Sequence, residues 1–484
     1  PAPRPTAPPQ SRQPQLLPIP GLTVVPRPTT SVAGATLEGM STETTSGDLW
    51  PAPVAHGPID AVVPVPGSKS LTNRYLLLAA IAAEPTQLHR PLHSRDSQLM
   101  VEALRALGVR VEHVDAEGRP QTDGPDLLID PAPLRGPAEI DCGLAGTVMR
   151  FVPALAALAD GTVTFDGDPR ARQRPMAPVI DALRDLGAQV DDDGRGALPF
   201  TIHGTGALPG GIVEVDASAS SQFISSLLLI APQLTDGIDV RRVGPMPSQP
   251  HVTMTVEVLR ERGVVVEVTN GEDGAPARWR VQPGPVAGGL VTVEPDLSNA
   301  GPFLAAALVS SGRVRVPDGP TATAQAGDRM RELLVRMGAS VELGPQGLTV
   351  TGNGGITPID ADLHDVGELT PTIAALCTLA DGPSRLRGVG HLRGHETDRL
   401  AALVTEINRL GGTARETEDG LEIEPGALRP AALETYHDHR MATFAAILGL
   451  RVPGTEVVNV GTTAKTMPDF TQLWSDMVAT SGRS

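Results

Sequence analysis

The residues most suited to chemistry begin at Pro66-Gly67-Ser68-Lys69-Ser70-Leu71-Thr72-Asn73-Arg74. This stretch lies between an extended run, Ala61–Val65, and an apolar run, Tyr75–Ala82, a pattern that predicts strand, turn and helix. Pro66-Gly67 makes the turn, and Ser68 or Ser70 can cap the helix. Lys69 and Arg74 are harder to place. Cations near a helix N-terminus meet the positive end of the macrodipole, at roughly 0.3–1 kcal/mol each. Spare backbone N–H groups in the same place attract anions. Two cations, two hydroxyls and a helix start together make an anion trap. Taken alone, the stretch also fits an ordinary capped helix with solvated charges, so other residues must decide.

Similar groups recur along the chain. Gly146, Thr147 and Arg150 precede one apolar run, and Ser218, Ser220, Ser221 and Gln222 precede another. Glu368 and the trio Asp438, His439 and Arg440 precede two more. Between them fall Arg170 and Arg174, the run Arg393-Gly394-His395-Glu396-Thr397-Asp398-Arg399, and Lys465. Each could be a cap or a salt bridge. Gathered at equivalent edges of a chain whose formal net charge is -17, the cations point to ligands with several negative charges. Phosphates and carboxylates are the groups that Arg forks suit.

The elements that must position these residues form an internal repeat. A small or polar turn leads into an Ala/Leu helix, then a second turn and a β-like run. Taking Thr72, Thr147, Gln222, Ala300, Thr370 and Arg440 as markers, the steps are 75, 75, 78, 70 and 70 residues. A helix end followed by Gly keeps the same beat at Gly108, Gly187, Gly263, Gly338 and Gly411, where Gly is the expected left-handed terminator. Each unit reads as βαβαββ. Six such units exceed one ordinary core, so two domains of three units are expected. Helices running side by side would share an N-terminal end, and two such ends facing each other would make a positively polarised cleft.

Composition narrows the partners. Apolar residues make up 40% of the 484 and aromatics only 2%, so the core must be built from Ala, Leu and Val. The acidic balance argues against nucleic acid or an anionic membrane as partner. Cys142 and Cys377 are too few for a disulfide framework and show no metal spacing. No apolar run approaches a membrane span. A cytoplasmic monomer is expected. Residues 1–50, rich in Pro, Thr and Ser, lack periodicity and the apolar core of a signal peptide, and read as a disordered tail. Met40 is an alternative start, with the preceding residues added by an over-long reading frame. A Pro-rich docking tail is the functional alternative.

The motifs PGSKSLTNR, LAGTVMRF, RARQRP, DASASSQF, HETDRL, DHRMA and AKTMPDF, in this order, resemble those of the 5-enolpyruvylshikimate-3-phosphate (EPSP) synthase family. The resemblance covers about residues 56–475. It implies an α/β fold of two similar domains, an inverted α/β barrel of the enolpyruvyl transferase type with the ligand cleft between them. One domain would span 67–293, the other 56–66 plus 294–478. It also implies transfer of the enolpyruvyl group of phosphoenolpyruvate to shikimate 3-phosphate, with no metal or organic cofactor. By motif, Lys69, Ser70, Arg74, Ser220, Ser221, Gln222, Ser248, Glu368 and His395 would meet shikimate 3-phosphate. Lys69, Gly146, Arg174, Gln222, Arg399, Arg440 and Lys465 would meet phosphoenolpyruvate. Glu368 would be the base, Glu396 would serve C3, and Lys69 would share proton transfer.

Three positions depart from the family pattern. Leu144 stands where many members have Asn, His395 where Lys is common, and Phe151 where Pro is usual, close to the expected phosphoenolpyruvate pocket. The nearest rival is the sister enzyme that acts on UDP-N-acetylglucosamine, which usually carries a Lys-Asn pair near its start; here Ser70 follows Lys69. A relative of the RNA 3′-phosphate cyclases conflicts with the acidic balance. A non-catalytic scaffold would be expected to lose Lys69, Glu368, Glu396 or Arg399, and all four are present.

Overall fold

The computed structural model describes residues 48–482. Its helices come in six pairs. Each first member begins at or within three residues of a repeat marker: α1 (Lys69–Ala80), α3 (Gly146–Ala156), α5 (Gln222–Ile230), α7 (Leu297–Ser310), α9 (Thr370–Thr378) and α11 (His439–Gly449). The second members are α2 (Arg95–Ala106), α4 (Ala177–Asp185), α6 (Pro250–Glu261), α8 (Met330–Arg336), α10 (Arg399–Arg409) and α12 (Phe470–Val478). The second members α2, α4, α6, α8 and α10 end one or two residues before Gly108, Gly187, Gly263, Gly338 and Gly411. All five glycines have φ between +82° and +103°, a region that costs a Cβ-bearing residue energy.

The first members are apolar nearly all round and pack on one another: α1, α3 and α5 in one group, α7, α9 and α11 in the other. Ala and Leu dominate their buried positions, with one buried Phe on each of α3, α5, α7 and α11. Buried apolar residues form two clusters. One runs from Leu71 to Val293; the other takes Ala52–Val65 and Ala300–Val478.

Among the described residues the strands form five four-stranded sheets and one three-stranded sheet. The second unit shows the pattern. Ala138–Asp141 lies parallel to Asp160–Asp166, which pairs antiparallel with Phe200–Thr205, which pairs antiparallel with Gln189–Asp191. Two units borrow their first strand across a long stretch of chain. Thr86–His89 takes Gly289–Thr292 as its parallel neighbour, and Arg313–Val316 takes Asp60–Val62. The chain therefore crosses between the clusters twice, and the crossings are bonded to each other. Ser68 N donates to Glu294 O (2.8 Å) and Asp296 N to Pro66 O (2.9 Å). Gly67 sits here because a Cβ would lie 2.2 Å from Arg90 O.

The sixth unit lacks its own hairpin. Leu49–Pro51 fills the gap, antiparallel to Glu456–Val458, which is parallel to Ala432–Leu433. This corrects the tail boundary expected at residue 50. Trp50 packs on Phe470 (6.3 Å between ring centroids), and Asp48 O accepts from Asn459 N. Residues 1–47, with Met40, lie outside the described residues.

The seat of this strand is tight, since a Cβ on Gly449 of α11 would lie 2.3 Å from Ala52 Cβ. Gly449→Ala is expected to lower stability by about 1–3 kcal/mol through overpacking, and Ala52→Gly in the same chain to restore it. Urea denaturation of the single and double variants measures this; a neutral Gly449→Ala would mean that the segment is not seated on α11.

Candidate active site

The starts of α1, α3, α5, α7 and α11, with the turn before α9, surround a cleft of about 330 Å³ between the two clusters. That is the small end of ligand pockets, roughly 300–1,000 Å³. Asp296 ties the two sides together. One carboxylate oxygen caps α7 by accepting from Asn299 N (2.9 Å), and the other accepts from Lys69 N, the first residue of α1 (3.0 Å). Ser68 caps α1, whereas α3 and α5 have no side-chain cap, which leaves N–H donors at their starts.

Of the residues that the motifs assign to a substrate or a catalytic role, all but Arg74 and Lys465 line this cleft. Lys69 reaches Asp96 at the start of α2 (Nζ–Oδ2 3.2 Å). Ser221 Oγ donates to Ser248 O (3.0 Å), and Ser248 N donates across the cleft to His364 O (3.1 Å). Those two bonds hold Ser248 at φ +57°, a strained value for a residue with a side chain. Arg150 and Arg174 are buried and converge over Gly146. A Cβ there would lie 2.9 Å from Arg150 Nη1 and 3.1 Å from Arg174 Nη2, so this glycine makes room for guanidinium groups. Neither arginine has a carboxylate within ion-pair distance among the described residues, and the Nε of each is buried without a partner.

On the opposite wall, Glu368 precedes α9. His251 Nε2 approaches its Oε1 at 3.6 Å, and Ser298 Oγ donates to the same oxygen (3.4 Å). Burial pushes the Glu368 carboxyl up, but His251 and Arg440 outweigh it and hold it at about 2. Glu396 is likewise raised by burial and pulled well below its ordinary 4.5 by His439 (3.2 Å), Lys465 (3.4 Å) and Arg399. Arg399 makes a buried pair with Asp438 (2.8 and 3.2 Å), the cap of α11. Arg440 Nη1 donates to Ser298 O (2.8 Å).

Two residues stand outside the lining. Arg74 is buried behind α1. It donates to Thr255 Oγ1 (2.8 Å), Ser70 O (2.9 Å) and His251 O (2.9 Å), and its guanidinium lies over the Phe151 ring (5.2 Å). Burial lowers its pKa to about 9. It therefore braces the wall that carries Ser70 and His251. Phe151 is correspondingly a buried platform under Arg74 and does not line the cleft. Lys465 sits one layer back, donating to His437 O (2.5 Å) and Glu396.

The other departures also have physical outcomes. Burial, then Arg399 and Arg174, hold His395 well below its ordinary 6.5, so it is a neutral group rather than a pH-dependent cation. Leu144 contributes its backbone oxygen, which accepts from Arg174 Nη1 (3.2 Å), a contact indifferent to the side chain.

The sequence reading missed His251, His391, Asp96, Asp296 and Gln325. Only His251 carried a visible signal, since Ser248-Gln249-Pro250 marks another helix start just before it. One group of potential metal ligands occurs among the described residues: Glu396, Asp438 and His439, with donor atoms within 4.8 Å of one another. Arg399 and Lys465 already neutralise its carboxylates, so the set does not suit a metal ion.

Five βαβαββ units and a sixth without its hairpin, set around a cleft lined by cations, make the α/β fold class of the enolpyruvyl transferases. The structure superposes on EPSP synthase from Acinetobacter baumannii with a TM-score of 0.71 at 24% identity, over 89% of this chain and 98% of that one. It also superposes on the enolpyruvyl transferase NikO from Streptomyces tendae with a TM-score of 0.66 at 18% identity, at the same coverage. At these identities the likeness shows the fold. The family model for EPSP synthase (3-phosphoshikimate 1-carboxyvinyltransferase) matches residues 54–474. A 3-phosphoshikimate 1-carboxyvinyltransferase from Kocuria rhizophila is 58% identical over 442 residues, 90% of this chain and 98% of that protein. The chain belongs to the EPSP synthase family.

Two measurements test the electrostatics. Asp438→Asn leaves Arg399 buried without its partner and is expected to cost about 3–5 kcal/mol in urea denaturation. Glu368 has its folded pKa below its ordinary value, so its pairing stabilises the fold above about pH 4.5 and that contribution is lost as pH falls toward about 2. Carboxyl NMR should find Glu368 ionised below pH 4, and His251→Gln should raise its midpoint by about one pH unit or more. An unmoved midpoint would remove His251 as the cause.

Proposed function

We propose that the chain transfers the enolpyruvyl group of phosphoenolpyruvate to the 5-hydroxyl of shikimate 3-phosphate, releasing phosphate, in the shikimate pathway to chorismate and the aromatic amino acids. The observation that carries this reading is the charge balance of the cleft. Lys69, Arg150, Arg174, Arg399 and Arg440 line it against few carboxylates, and Arg150 and Arg174 have none of their own. Each substrate brings one carboxylate and one phosphate, the latter near -1.5 to -2 at neutral pH. In this reading the two clusters act as two domains, 67–293 and 56–66 with 294–478. The protein works as a cytoplasmic monomer without nucleic acid, membrane or cofactor.

Ser70, Ser220, Ser221, Gln222, Ser248 and His395 hold shikimate 3-phosphate, with Arg74 bracing them from behind. Lys69, Gly146, Gln222, Arg174, Arg399 and Arg440 hold phosphoenolpyruvate, with Lys465 acting through Glu396. Addition forms the bond from the 5-oxygen to C2 while the hydroxyl proton passes to Glu368 and C3 takes a proton. A carboxylate with so low a pKa is a weak base, so the proton moves as the C–O bond forms and the hydroxyl becomes acidic. Glu396 is an anion at rest. To serve C3 it first takes a proton from Lys465, 3.4 Å away, because burial lowers the proton affinity of His439. In the elimination half it accepts the C3 proton back as the C2–O bond to phosphate breaks. The hydroxyl proton leaves with the phosphate. Holding two anions in register supplies up to about 7–11 kcal/mol in favourable intramolecular cases.

The test is phosphate release from phosphoenolpyruvate with shikimate 3-phosphate in one tube and UDP-N-acetylglucosamine in another. Turnover is expected only with shikimate 3-phosphate. Glu396→Gln and Lys69→Met should each lower kcat by about 10²- to 10⁴-fold, the range of lost acid–base catalysis. Turnover only with the UDP-sugar would overturn the acceptor; silence in both tubes would overturn the enzymatic reading.

A further inference from the structure

Arg150 is the strongest feature that the motif comparison leaves without a role. It lies on α3 with its side chain buried, it has no acidic partner among the described residues, and its Nε makes no hydrogen bond. Its guanidinium stands over the Phe223 ring, 5.4 Å from the centroid, which fixes its plane. Nη1 donates to Gln222 Oε1 at 3.1 Å. Gln222 is the first residue of α5 and lines the cleft. The backbone N–H of Gln222 is given to Ser220 Oγ (3.3 Å).

We propose that Arg150 is a positioning residue that orients the Gln222 carboxamide so that its NH₂ group, and not its oxygen, faces the substrates. A guanidinium has five N–H donors and no acceptor, so whatever lies against Nη1 must be an oxygen. With Oε1 committed to Arg150, the two amide N–H donors are turned away from it. A glutamine free to rotate by 180° would present its oxygen to an anion half the time and repel it. Arg150 removes that choice, and it does so without a carboxylate that would cancel its own charge. Phe223, next in sequence to Gln222, is the surface that keeps the guanidinium in place, so the pair is built from one helix start and one helix face. This inference rests on the substrate assignment above, because it needs anionic substrate oxygens at Gln222.

The experiment is a double-mutant cycle on the full chain, with KM and kcat for both substrates and a thermal melt for each variant. Arg150→Met and Gln222→Met should each raise KM for at least one substrate by about 10-fold or more, the loss of a hydrogen bond to a charged group. The double variant should be worse than the poorer single by no more than about 2-fold, because both changes remove one arrangement. Arg150→Lys keeps a donor for Oε1 and should regain part of the loss, which also covers the case in which the Met variant folds poorly. Losses that multiply in the double variant would mean that Arg150 meets the substrate directly and would overturn the proposal. A readout independent of turnover is the side-chain amide pair of Gln222 in ¹⁵N NMR, which should move in Arg150→Lys and Arg150→Met. If it does not move, the pairing is wrong whatever the kinetics. If it moves and the wild type releases no phosphate, the substrate assignment fails and the pairing stands.

Discussion

Positive charge is crowded into one cleft with too little negative charge to neutralise it, and the rest of the molecule is arranged around that constraint. Arg150 and Arg174 both reach within 3.3 Å of one point above Gly146, and burial lowers the proton affinity of each. Like charges in a low-dielectric interior repel strongly, and Arg174 adds to the lowering at Arg150. Each of three cations keeps a neutral or backbone partner from its own wall: Gln222 for Arg150, Leu144 O for Arg174, Ser298 O for Arg440.

The carboxylates that are present have specific duties. Asp438 caps α11 and pairs with Arg399, and Asp296 joins the starts of α1 and α7 across the crossing. Glu368 and Glu396 also line the cleft, and each has a histidine beside it, His251 and His439. Both are held as anions by cations set around them, so basicity has been traded for a fixed charge state.

Much of this was legible in the sequence because the repeat repeats its physics. A Gly that ends a helix and a polar turn that begins one are local signals, and the glycines at 108, 187, 263, 338 and 411 all adopt the left-handed conformation that their spacing implied. Residues at the helix starts converge because helices packed side by side share an end. What sequence could not give is depth. Arg74 and Lys465 carry the same charge as their neighbours, yet Arg74 is bonded to backbone oxygens behind the wall and Lys465 to Glu396. Whether a cation faces a ligand or braces a wall depends on one rotamer and on which carbonyls lie near. The strand at 49–51 was missed for a related reason. Its partner, Glu456–Val458, lies some 400 residues away, and three residues carry no period of their own.

The borrowed strands set an order in which the molecule can assemble during synthesis. The cluster from Leu71 to Val293 is one continuous stretch, complete as soon as Gly289–Thr292 leaves the ribosome to flank Thr86–His89. The other cluster begins with residues made earlier still, Asp60–Val62 and Leu49–Pro51, whose partners at 313–316 and 456–458 emerge only after that first cluster. Those early strands must wait, unpaired, while one core forms downstream of them. Short length limits the hazard of an exposed edge, since three residues offer few unpaired groups to another chain. The active cleft needs both clusters, so it cannot exist until nearly the whole chain has been made.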